Sequence, residues 1–285
     1  MTTATPTTPA PAEPQLTHPL PSLDAWTAHF IAAQIPVLAE TAEALEALRA
    51  NEDLTDANSI GEMMSSDPLM TLKVLAYAAT HRSERAVTDT ETVIAALVMM
   101  GISPFFTAFA AQPTVEDRLA DNPAALAGLA ETLRRAHRSA DYALAFAVHR
   151  MDPDAAMVHA AALLHDFAEM LLWCHAPELA LRIQRIQGDD PTRRSSAVQC
   201  EVLNVELSDL QQALMKAWRL PELLIRISDD RHAQHPSVRT VALAVRLARH
   251  TAQGWSNAAI PDDVHELATL LNLSEAATLL LLDGI

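Results

Sequence analysis

The chain has 285 residues, 36 Asp and Glu against 20 Lys and Arg for a formal net charge of −16, and 50% apolar content. Such a length supports one large domain or two small ones, each with a core of its own. The acidic excess repels phosphate backbones and argues against a nucleic-acid binder working through Lys and Arg, which leaves proteins or small molecules as the expected partners.

Six of the seventeen prolines fall in the first 22 residues, among Thr and Ala, so residues 1–22 are expected to be a disordered tail. That stretch also lacks the basic start and apolar run of a signal peptide. Two cysteines, Cys174 and Cys200, make neither a disulfide framework nor a CxxC pair, and a cytoplasmic location is expected.

From Leu23 onward Ala and Leu dominate and apolar residues recur every three to four positions, which predicts an all-α body. Asp67-Pro68 starts one helix, because proline suits a first turn whose amide has no partner. Thr88 with Glu91 forms a capping-box pattern ahead of Val93, Ala96, Leu97 and Met100, and Gly101 ends that helix. A charged, Pro-containing stretch, QPTVEDRLADNP, separates sub-blocks of about 23–120 and 121–255. In the second, a long helical pair covers Ala124 to Trp173. Ser208 is expected to cap a helix carrying Leu210 and Leu214, while Pro221 and Pro236 open the next two. Residues 256–285 read as a terminal cap of two helices, with Ser274 capping the last. About a dozen helices are expected.

The greasiest segment, AAMVHAAALLHDFAEMLLW, carries two His, an Asp and a Glu, so it reads as a buried helix and no membrane span is expected. Trp173 and Trp218 belong to the core on this reading, whereas Trp26 and Trp255 are candidates for exposed contacts. Neither cysteine has a basic cluster beside it to make it nucleophilic.

Within that segment stands His165-Asp166, and His137 lies 28 residues earlier on an amphipathic helix. Imidazole and carboxylate are costly to bury without partners. Two explanations are open. The groups hold a divalent cation between packed helices, or they form a hydrogen-bonded polar knot.

His137 followed by A-x-L-L-H-D at His165-Asp166 resembles the core of the HD superfamily of metal-dependent phosphohydrolases. Ile35-Pro36-Val37-Leu38, Ser66-Asp67-Pro68-Leu69, the run from Thr92 to Gly101, and Trp218-Arg219-Leu220-Pro221-Glu222 narrow the resemblance to the HDOD family over residues 30–250. The resemblance implies a compact multi-helix HD-like bundle in a bacterial signalling protein. It also implies a metal set of His137, His165 and Asp166, with a further Asp in a late helix, where this chain has Val245. Glu169 stands where catalytic relatives often have a phosphate-contacting Lys.

Valine offers no ligand and Glu169 repels phosphate, so catalysis is disfavoured and the site is expected to be vestigial. The expected function is a non-catalytic regulatory module acting through a protein partner, with cyclic-dinucleotide signalling as a context implied by the resemblance. No cofactor is expected. The alternative is a metal-dependent phosphohydrolase of a nucleotide or phosphodiester, using a divalent metal on His137, His165 and Asp166 with Asp229 or Asp230 as fourth ligand. A third option is small-ligand sensing in the cavity that an empty metal site leaves.

Overall fold

The structure is a computed structural model that describes residues 14–81, 92–232 and 234–285. Among them are seventeen α-helices, more than the expected dozen, and no strand; one isolated parallel bridge joins Val37 and Thr114. The chain runs through α1 (Leu23–Ala32), α2 (Ala39–Arg49), α3 (Ala57–Ser65), α4 (Pro68–Thr80), α5 (Val93–Met100), α6 (Ile102–Ala108) and the short α7 (Val115–Arg118). The 27-residue α8 (Pro123–His149) follows, then α9 (Ala155–Leu163), α10 (Phe167–His175), α11 (Pro177–Asp189) and α12 (Ser195–Leu203). Last come α13 (Leu207–Ala217), α14 (Glu222–Ile227), α15 (Pro236–His250), α16 (Ile260–Leu271) and α17 (Glu275–Asp283).

Several predicted boundaries are held by the side chains expected to hold them. The Asp67 carboxylate accepts from the amides of Leu69 and Met70 with Pro68 in the first turn, and Ser274 accepts from Ala277. Gly101 ends α5 at φ 84°, in the left-handed region that favours glycine, and leads directly into α6. The Thr88–Glu91 box lies outside the described residues; the cap seen on α5 is Thr92, which accepts from Ala95. Ser208 does not cap α13, because that helix begins one residue earlier and Glu206 occupies its N-cap position.

Two apolar clusters form the interior. The smaller joins α2 to α6 through Val37, Leu45, Ile60, Met64, Phe105 and their neighbours. The larger is built on α8, which packs against α9 and α15, and extends through α10 to α17. These clusters divide the chain differently from a cut near residue 120. Trp26 and Phe30 place α1 in the larger cluster against α13, and α4 sends Leu69, Leu72 and Leu75 to one cluster and Met70 and Val74 to the other. The terminal helices also belong to the main core, through Val264, Leu267, Leu271 and Leu282.

Trp26 corrects its expectation. It is fully buried, with its indole N–H donating to Leu203 O at 2.9 Å, because α1 is clamped between α13 and the rest of the larger cluster. Trp255 is 51% exposed, and Trp173 and Trp218 are buried, as expected. Of the proposed tail, residues 1–13 lie outside the described residues. Residues 14–22 are tied to the body: Leu16 N donates to His175 O at 2.7 Å, Asn204 Nδ2 donates to Leu20 O at 3.0 Å, and both leucines pack on the core. One stretch of the described residues, Ala155–His175, is long and apolar enough to cross a bilayer, and most of it is buried inside the helical body.

Candidate functional site

The segment expected to be one helix is two. A turn at residues 164–166 separates α9 from α10, and His165 and Asp166 sit in that break. Asp166 occupies the N-cap position of α10 without capping it; its carboxylate is held by other partners.

Asp166 Oδ2 accepts from Arg135 Nε at 3.0 Å, and Asp166 Oδ1 accepts from Arg249 at 2.7 Å and from His165 Nδ1 at 3.0 Å. The same Arg135 guanidinium donates to Glu169 Oε2 at 2.7 Å. On its other side, His165 Nε2 lies 3.3 Å from Asp230 Oδ2. Thr132 Oγ1 is 3.0 Å from the second Glu169 oxygen and accepts the Trp173 indole N–H at 3.1 Å. Five elements thus meet at one ionic knot: α8, the α9–α10 turn, α10 through Glu169, α15, and the 3₁₀ turn at Asp230–His232.

The electrostatics are mutually reinforcing. Burial raises the cost of ionising Asp166, but the Arg249 and Arg135 charges and the His165 contact hold its carboxyl well below the usual range. Burial also disfavours charge on His165; its hydrogen bonds to Asp166 and Asp230 outweigh that and hold it at about 9, so it is an imidazolium at neutral pH. Burial opposes ionisation of Asp230, and the His165 partner again lowers its pKa. Arg135, opposed by burial but facing Glu169 and Asp166, is held more firmly charged than a free arginine.

His137 is not part of this knot. It lies on α8 two residues beyond Arg135, about 200° further round a 3.6-residue helix, so the two cannot face the same neighbour. It lines a separate recess with Arg134, Asp141 and Trp255. Val245, at the position where the resemblance implies an Asp, is buried at 3% exposure in the core. Arg249, one turn further along α15, reaches Asp166 instead.

These residues do not fit a divalent cation. Two guanidinium groups and an imidazolium already occupy the oxygens of Asp166 and would repel an approaching metal. Among the described residues no group of three or more His, Cys, Asp or Glu side chains converges as a metal site. Of the fourth-ligand candidates, Asp230 meets His165, while Asp229 pairs with Arg231 at 2.9 Å and His232 at 3.2 Å.

Comparison with known proteins agrees with the architecture. The HDOD domain model matches residues 35–234. The chain belongs to the HDOD family. No curated protein matches it. Among solved structures it is similar to the MmoQ response regulator of Methylococcus capsulatus (TM-score 0.66, 18% identity, covering 88% of this chain and 99% of that one). A virulence factor from Campylobacter jejuni gives a TM-score of 0.60 at 17% identity, covering 88% of each chain. An HDOD domain protein of unknown function from Geobacter sulfurreducens gives 0.51 at 15%, covering 92% of this chain and 93% of that one. At these identities the likeness is one of fold. Within it, this HDOD chain carries the His-Asp pair but surrounds it with arginines. Sequence reasoning did not single out Arg135 or Arg249. A usable signal was present in Gly128, Thr132 and Arg135, which share the face of α8 turned toward Trp173 and Glu169.

Proposed function

We propose that this HDOD chain is a non-catalytic regulatory module that works through a protein partner in bacterial signal transduction. The observation that carries this reading is the saturation of Asp166 by Arg135, Arg249 and His165. A phosphohydrolase of this superfamily uses that carboxylate for a metal; here it ties α8 and α15 to the α9–α10 turn. The name of the Methylococcus relative, a response regulator, supports the signalling context. A cyclic-dinucleotide pathway rests on the family resemblance alone.

The test is direct. Purified chain is analysed for bound metal and assayed with added manganese on bis(p-nitrophenyl) phosphate, with His165→Ala as control. The expected result is sub-stoichiometric metal and no turnover above that control. Turnover that the substitution abolishes would establish the hydrolase reading instead.

A further inference from the structure

Beside His165 the surface opens into a cavity of about 340 Å³, near the small end of ligand-sized pockets. Its walls come from the start of α12, from α13, and from the turn after α14. Two polar residues in that wall are almost fully buried, Ser228 at 5% exposure and Gln212 at 6%. Gln212 Nε2 donates to Ile225 O at 3.4 Å and Ser228 O at 3.2 Å, which fixes the amide so that Oε1 is its acceptor end. Neither Gln212 Oε1 nor Ser228 Oγ has a hydrogen-bond partner among the described residues. Buried polar atoms are seldom left so, because their lost hydration is not repaid.

The charge on the walls is also unbalanced. Asp230 is answered by His165, Asp229 by Arg231 and His232, and Asp209 by the same Arg231 at 3.8 Å. Glu206 lines the cavity as well, and among the described residues its carboxylate makes no ion pair and caps no helix. The arginines in the wall, Arg231 and Arg249, are already engaged by carboxylates. The cavity therefore offers surplus negative charge, with two unpartnered polar atoms buried in the wall behind it. The carboxylates are spread round it and do not converge as a metal site.

We infer that this cavity is a binding site for a small organic cation with N–H donors, an ammonium or guanidinium compound, held by Glu206 with Ser228 and Gln212 behind it. Such a molecule supplies the missing donors and the missing charge together, whereas a phosphate or carboxylate meets Glu206 with repulsion. The site stands independently of the protein-partner reading, because its occupancy is read on the isolated chain.

Isothermal titration of the full chain with agmatine, a guanidinium–ammonium dication, tests it against AMP as an anionic probe and manganese as a metal probe. Saturable agmatine binding is expected, with a rise in melting temperature by mass action. Glu206→Gln, a partly exposed and isosteric change, should weaken it about tenfold or more while keeping the wild-type melting temperature. Ser228→Ala reads the buried end in the same way. Absence of saturable agmatine binding at millimolar concentration, unchanged affinity in both variants, or binding of AMP or manganese in its place would each overturn the assignment.

Discussion

Arg135 and Asp166 are joined side by side, with the guanidinium Nε 3.0 Å and a terminal nitrogen 2.9 Å from the same carboxylate oxygen. Both side chains are largely withdrawn from water, at 17% and 10% exposure. A cation fixed covalently to α8 thus neutralises the Asp166 carboxylate.

Removing that cation should be costly. Arg135→Met leaves Glu169 without its charged partner and Asp166 with two of its three, and breaking a buried pair from one side typically costs 3–5 kcal/mol. A loss of about 3 kcal/mol is expected in urea denaturation. A change within about 0.5 kcal/mol, the range of ordinary surface substitutions, would mean that the knot contributes little to the fold.

The ionisation of His165 gives stability a definite pH dependence. Its folded pKa of about 9 lies above the unfolded value of about 6.5, so its contribution is full below the unfolded value and disappears as pH rises through about 9. Between pH 6 and pH 10 the wild type should lose up to about 3 kcal/mol more than His165→Gln. Asp166 has the opposite sign: its depressed pKa gives stability that is present above about 3.9 and is lost as pH falls. Paired denaturation curves across both ranges check the two signs.

Gly128 is the point where α8 admits Trp173. A Cβ built there collides with Trp173 Cη2 and meets Cζ2 at 2.6 Å. Alanine is ordinarily the better helix former by about 1 kcal/mol, yet here overpacking should win and Gly128→Ala should destabilise by about 1–3 kcal/mol. The displaced indole should lose its hydrogen bond to Thr132, seen as altered near-ultraviolet circular dichroism.

The two cysteines should react very differently. Cys174 is fully buried and burial pushes its thiol up to about 12, whereas Cys200 is exposed. Thiol titration of the native chain should therefore modify one cysteine, Cys200 by peptide mapping. The second should appear only on unfolding, at a rate set by denaturant.

Local chemistry was legible in the sequence wherever a residue acts within one turn of itself. Asp67-Pro68, Gly101 and Ser274 set helix boundaries through amides two or three positions away or through their own φ, so pattern alone located them. The all-helical class and the family followed from apolar spacing and from short motifs of the same local kind. The break at His165-Asp166 was not legible, because the segment is apolar on both sides of the turn and has no Gly or Pro to mark a stop.

What tertiary structure alone decided is which charges meet. Arg135 and His137 are near neighbours in sequence, and only the direction of α8 relative to α10 chooses between them for Asp166. Arg249 arrives from 83 residues away and Asp230 from 65 residues beyond His165. Charge pairing at that range depends on how rigid helices pack, since a long side chain reaches only a few ångströms from its own backbone. The sequence therefore determined that a His-Asp pair would stand among helices, and the packing of α8 and α15 determined that arginine would be its counter-charge.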